Sequence, residues 1–181
     1  AINRCVYNGT VAVREDLPSE YLYYTRGFGG LIGLYIGLLN IPLYDSYCQG
    51  WINGTISVGG IVGQIMYLYN VPPPDSPPEL IHDISECIIK RSYSASALNG
   101  LNKIGGMIGS TINLADYKPF PEGTIHAIDS FYDSTVSGRS DNDGRGVPKT
   151  TAEMQNKDTF AAWNFNSVWG IDDEYPYLLW C

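Results

Sequence analysis

With 181 residues the chain is long enough for one domain with a sizeable core, residues 1–181, and short for two. A net charge of -8 with only 11 dispersed Lys and Arg argues against nucleic acid and other acidic polymers as partners, because phosphate binding needs clustered cations. Few charged residues (17%), 20 glycines and 14 tyrosines favour strands and turns, so the expected class is all-β; the most apolar stretch, 28–43, is interrupted by glycines and Pro42 and is not membrane-spanning.

The chain opens directly on strand-like sequence, Ile2-Asn3-Arg4-Cys5-Val6, without a basic leader or cleavage site. That is the expected start of a mature extracellular protein after signal-peptide removal, and equally of a trimmed chain. Asn8-Gly9 reads as a turn into a second strand at Thr10, and a polar excursion leads on to the block Gly29-Gly30-Leu31-Ile32-Gly33. A second unit repeats the order: Ser46-Tyr47-Cys48, then Trp51-Ile52-Asn53-Gly54-Thr55-Ile56, then Gly59-Gly60-Ile61-Val62-Gly63, with Cys48 matched to Cys5. Val71-Pro72-Pro73-Pro74-Asp75-Ser76-Pro77-Pro78 cannot donate ladder hydrogen bonds and reads as a stiff surface loop, with a docking motif for a proline-reading partner as the other reading. The third unit runs from Ile84-Ser85-Glu86-Cys87-Ile88-Ile89 to Gly105-Gly106-Met107-Ile108-Gly109, with Ser94-Ala95-Ser96 in place of Asn-Gly.

A fourth unit begins at Ile125 with Phe131 at the cysteine position and carries no glycine block. Thr150-Thr151-Ala152-Glu153 is a capping-box pattern for a short helix to about Lys157, and an aromatic tail with Trp163, Trp169, Tyr175 and Trp180 follows. The expected division is repeat units over 1–136 and a loop, short helix and aromatic C-terminal cap over 137–181. Repetition of this kind points to stacked units that bury their apolar faces only against one another. The glycines, Gly29, Gly30, Gly33, Gly59, Gly60, Gly63, Gly105, Gly106 and Gly109, read as fold residues that turn corners or let neighbouring rungs approach.

These blocks resemble the GLUG-motif repeats of bacterial and archaeal cell-surface proteins. The closing segment carries the likeness furthest: Phe131-Tyr132-Asp133-Ser134-Thr135-Val136-Ser137-Gly138, Gly146-Val147-Pro148-Lys149-Thr150-Thr151-Ala152-Glu153-Met154, Phe160-Ala161-Ala162-Trp163-Asn164-Phe165 and Val168-Trp169-Gly170-Ile171 resemble the segment that follows such arrays. The resemblance implies an irregular parallel β-solenoid, a β-helix of about four coils with long excursions, on an extracellular polypeptide of adhesin type. Cys-to-Cys spacings of 43 and 39 residues depart from a regular repeat, and the zinc His-Glu-x-x-His motif of neighbouring peptidase domains is absent, so no activity carries over.

In such a solenoid Cys5, Cys48 and Cys87 would stack about 4.8 Å apart, as a thiol ladder or as strained disulfide candidates, with Cys181 outside the ladder as a candidate for a bridge to another cysteine of the chain or to the next subunit. Asn8-Gly9-Thr10 and Asn53-Gly54-Thr55 are glycosylation candidates at Asn8 and Asn53, or simply turns. Asp141 and Asp143 form a weak calcium candidate, since Arg145 stands where another oxygen ligand is expected. No cofactor is expected otherwise. Asp129, Asp133, Asp172 and Asp173 offer carboxylates, but no spacing singles out a catalytic pair.

The reading is a non-enzymatic extracellular structural or adhesive protein, a homo-oligomer or fibre subunit stacking head to tail. The alternatives are a module binding a cell-surface glycan or receptor through exposed aromatics and, third, a polysaccharide-active enzyme.

Overall fold

The computed structural model describes residues 2–13, 26–37, 42–67, 87–113, 125–140 and 145–180. Four successive segments each lay down a set of strands, here called tiers. The first holds β1 (Ile2–Asn3), β2 (Val6–Ala12), β3 (Arg26–Gly29) and β4 (Ile32–Gly37). The second holds β5 (Leu43–Tyr44), β6 (Tyr47–Asn53), β7 (Ile56–Gly59) and β8 (Val62–Tyr67), and the third β9 (Cys87–Lys90), β10 (Tyr93–Asn99), β11 (Asn102–Gly105) and β12 (Ile108–Asn113). The fourth holds β13 (Ile125–Ile128) and β14 (Phe131–Asp133), followed by β15 (Val147–Lys149).

Each strand pairs in parallel with its counterpart in the next tier, giving sheets β1-β5-β9-β13, β2-β6-β10-β14-β15, β3-β7-β11 and β4-β8-β12. The all-β class holds, and pairing within these four sheets is parallel. Parallel neighbours need a long crossover; here the other strands of the tier supply it. Leu43, Cys48, Ile52, Val58, Ile61, Val62, Ile65, Ile89, Met107 and Ile108 come from all four sheets and form one buried cluster.

The three glycine blocks are in register, Gly29 with Gly59 with Gly105 and Ile32 with Val62 with Ile108. Their chemistry follows from what a side chain would meet. At Gly30, Gly60 and Gly106 an added Cβ would collide with Cys48, Ser94 and Tyr132, the interior residues of the following tier. Each tier therefore seats one side chain on the glycine pair of the tier before it. At Gly59 the collision is with backbone, the Val62 carbonyl, the Gly109 nitrogen and the Met107 carbonyl. Close backbone approach is what glycine permits in a strand.

Register corrects three matches made on sequence. Cys48 lies opposite Tyr7 and Ser94, while Cys87 lies opposite Ile125 in another sheet, so the cysteines share no rung and form no ladder. Cys5 and Cys48 are free thiols. Asn8-Gly9 sits mid-strand in β2 opposite Gln49-Gly50, and Asn53 lies opposite Ala12 and Asn99, so the two sequons are not equivalent and Asn8-Gly9 is no turn. Phe131 likewise aligns with Tyr47 and Tyr93, leaving Tyr132 at the Cys48 position.

Alternation along β6, β10 and β14 sends Tyr47, Tyr93 and Phe131 to the other face of their sheet, where the C-terminal segment covers them. Tyr47 and Tyr93 stack with centroids 5.0 Å apart, Tyr175 lies over Tyr93 at 6.1 Å, and Phe160 meets Phe131 edge-on at 5.3 Å. The Tyr93 hydroxyl donates to the Pro176 carbonyl and accepts from Gln49 Nε2, both at 2.7 Å. The aromatic tail thus lies along the flank of the stack, where the sequence reading had placed it over the end. The end is crossed instead by 145–149: Gly146 packs on Met107 and Tyr132, Arg145 donates to Thr111 Oγ1 at 3.3 Å, and β15 pairs with β14.

Two short helices fix this segment. Asp133 caps α1 (Ser134–Ser137), and α2 (Thr151–Met154) carries the expected capping box between Thr150 and Glu153. The backbone N–H and hydroxyl of Thr150, then Lys149, hold the Glu153 carboxyl down at about 2. A 3-10 turn, Lys157–Phe160, then delivers Phe160 to the aromatic cluster, and β16 (Trp169–Gly170) and β17 (Tyr177–Leu178) close the segment as an antiparallel pair.

Burial pushes the Cys48 thiol up to about 11, pushes Tyr93 upward, and with the neighbouring Asp133 takes Tyr175 up to about 12. Groups raised on folding contribute stability that is complete below their unfolded pKa and is lost as pH rises through the folded value. Unfolded thiols titrate near about 8.5 and tyrosines near about 10, so stability should hold to about pH 8 and fall from about 9 to 12. Tyr93, raised by its burial, contributes to this fall above about pH 10. Denaturant midpoints at about pH 8, 10 and 11 check this; a midpoint constant over that range contradicts it. Cys48→Ser, which reproduces Ser94 one tier on, should move the onset up towards about 10.

Candidate functional site

The corner between the first two strands of every tier repeats one conformation. Arg4, Asp45, Arg91 and Asp129 all have left-handed backbone, with φ of 56°, 46°, 49° and 47°. Non-glycine residues pay about 1–2 kcal/mol each to sit there, so something local must offset the cost. The residues that follow, Cys5, Ser46, Ser92 and Ser130, form a hydrogen-bonded column. The backbone N–H of Cys5 donates to Ser46 Oγ at 2.9 Å, that of Ser46 to Ser92 Oγ at 3.2 Å, and that of Ser92 to Ser130 Oγ at 3.2 Å. Each serine hydroxyl in turn donates to the carbonyl two residues back, in Tyr44, Lys90 and Ile128. Cys5 is the thiol member of this column, its Sγ reaching towards the Asn3 carbonyl at 3.8 Å.

The corner charges alternate along the stack: positive, negative, positive, negative. Arg91 grips Asp45 with both ends of its guanidinium, Nε to Oδ1 at 2.7 Å and Nη2 to Oδ2 at 2.9 Å, a bidentate geometry worth more than a point contact. Arg91 also feels the charge of Asp129. At the first tier the pattern stops on exposed Arg4.

The first tier is also where the interior opens. Ile2, Tyr7, Val11, Phe28, Ile32 and Tyr35 are only partly buried, whereas their register partners Leu43, Cys48, Ile52, Val58, Val62 and Ile65 are buried outright. At the other end Tyr132, Met107 and Ile108 are covered. The apolar edge and Arg4 together make a face of mixed chemistry, and an open parallel edge is a template for further pairing.

The other candidate residues fall into structural places. Asn8 is exposed on β2, and Asn53 Oδ1 accepts from Asn99 Nδ2 at 3.1 Å. Asp133 is fully buried: Oδ1 accepts from the N–H groups of Thr135 and Val136, and Oδ2 from Thr151 Oγ1 at 2.7 Å and the Tyr175 hydroxyl at 2.6 Å. Asp172 accepts from the Tyr177 hydroxyl at 2.7 Å, and Asp173 holds a left-handed turn at φ 56°. Asp141, Asp143, Cys181 and the Pro-rich stretch lie outside the described residues. Among the described residues no group of three or more His, Cys, Asp or Glu side chains is placed to hold a metal ion, and no helix is long and apolar enough to cross a membrane.

Sequence reasoning missed the corner column. Its signal was present as Asp45-Ser46-Tyr47, Arg91-Ser92-Tyr93 and Asp129-Ser130-Phe131, a turn residue, a serine and an outward aromatic.

No protein-family model matches the chain, and no solved structure matches it. The chain is similar to a protein of Evansella cellulosilytica named "Putative Gly-rich membrane protein", 37% identical over 94 residues. The match takes in 49% of this chain and spans only 10% of that relative's length.

Proposed function

We propose that the chain is a β-solenoid scaffold module of an extracellular surface protein, structural and adhesive, with no catalytic role of its own. The observation that carries this reading is the in-register seating of successive tiers on glycine pairs, which spends the most distinctive residues of the sequence on architecture. The carboxylates a glycosidase reading draws on are engaged as caps, corner residues and turn residues. The alternative assembly form is a fibre of copies stacked head to tail, which residues 145–149 oppose by crossing the end it would use. Sedimentation and negative-stain microscopy at high concentration test the assembly form, filaments supporting it and separate particles removing it.

Trp51 favours a second reading. It projects 55% exposed from β6 between Thr10 and Ala97 of the adjoining strands, a flat platform of the kind that stacks on a sugar ring. Trp163 and Trp169 are buried in the tail and unavailable for this. A glycan array whose signals vanish in Trp51→Ala supports a sugar-binding face; an array without signals leaves the scaffold reading alone.

A further inference from the structure

We propose that the open face of the first tier is a docking surface for one further tier of the same repeat class, carrying a glycine pair and an acidic corner. The proposal rests on the stacked reading above and specifies what the incoming tier must carry. Three junctions between tiers show one rule: Cys48 seats over Gly30, Ser94 over Gly60, and Tyr132 over Gly106. Tyr7 holds the same register position in the first tier. Its ring is only partly buried and lies against Gly9 of its own strand, and among the described residues no glycine pair meets it from another tier. The incoming tier supplies that pair, in the way Gly106 receives the ring of Tyr132.

Charge makes the same demand independently. The corner column reads Asp129, Arg91, Asp45, Arg4, and the bidentate grip of Arg91 on Asp45 shows how adjacent tiers use it. The next position is acidic if the alternation continues. Apolar side chains at Ile2, Val11, Phe28 and Ile32 meet counterparts on the occupant, as they do on the second tier. A second copy of this chain stacked through its far end offers none of this, because that end presents 145–149 and the last tier has no glycine block.

The test adds a tier to the full chain. Residues 42–67, which contain an acidic corner at Asp45 and the pair Gly59-Gly60, are placed ahead of Ala1 through a copy of residues 38–41. Amide hydrogen exchange then follows each strand. In the extended protein, exchange in β2, β3 and β4 should slow by about tenfold or more relative to the original chain. Gly60→Leu within the added copy should abolish that slowing. The proposal is overturned if the added tier leaves β2–β4 exchange unchanged, or if those strands in the original chain are already as protected as β6–β8. It is also overturned if the original chain forms a dimer that Tyr7→Asp splits, since a second copy is then the occupant. Free exchange in β6–β8 and β10–β12 of the original chain would instead remove the stacked reading beneath it.

Discussion

Gly59→Ala should destabilise the protein by about 3 kcal/mol or more, at the upper end of the range for overpacking. The new methyl group has nowhere to go. Its neighbours are the carbonyls of Val62 and Met107 and the nitrogen of Gly109, all backbone atoms of β8, β12 and the bend that leads into β12. A flexible side chain could turn aside; these atoms move only if β8 and β12 separate from β7. Thermal or denaturant unfolding checks it, with Gly138→Ala as the comparison. Gly138 is the left-handed C-cap of α1, with φ 67° and open space around it, so alanine there costs about 1–2 kcal/mol from backbone strain alone. Equal losses at the two sites would refute the seating argument.

Asp133→Ala should cost about 4 kcal/mol and loosen the C-terminal segment as a unit. One buried carboxylate serves four donors: two N–H groups of α1, the hydroxyl of Thr151 at the start of α2, and the hydroxyl of Tyr175. Losing an N-cap costs about 1 kcal/mol, and each hydrogen bond to a buried charge is worth about 1.5–3 kcal/mol. Tyr175→Phe keeps the ring over Tyr93 and removes one donor, so it should cost about half as much. Near-UV circular dichroism reports the tryptophans of this segment, and its transition in Asp133→Ala should precede loss of the strand signal. Simultaneous loss would place Asp133 in the strand core's own cooperative unit.

The glycine blocks were legible because their spacing is local and each position carries a steric rule that only glycine satisfies. The capping box was legible for the same reason, being complete within four residues. Strand register was not. Counterparts across tiers are separated by 41 residues from Cys5 to Ser46, 46 from Ser46 to Ser92 and 38 from Ser92 to Ser130, and the cysteine spacings of 43 and 39 fit none of these. Aligning on Cys5 and Cys48 therefore displaced the pairing by two residues, from Ser46 to Cys48. In a pleated strand that shift keeps the face and changes every neighbour. The aromatic tail was visible as apolar, but its destination was hidden, because Tyr47, Tyr93 and Phe131 reveal a common outward face only once the register is known.

The corner column keeps its geometry while the chain between its members changes length, and this makes a tier a cassette. The connection from β4 to β5 is residues 38–42, and that from β8 to β9 is residues 68–86. Lengthening a connection that much costs only about 1 kcal/mol of closure entropy. One seated side chain, one glycine pair and one corner serine are what a tier must present to its neighbours. Sequence drift, insertions and new surface chemistry can accumulate in the connections without touching those three contacts, so variation in proteins of this build is expected in the chain linking one tier to the next, with whole cassettes gained or lost intact.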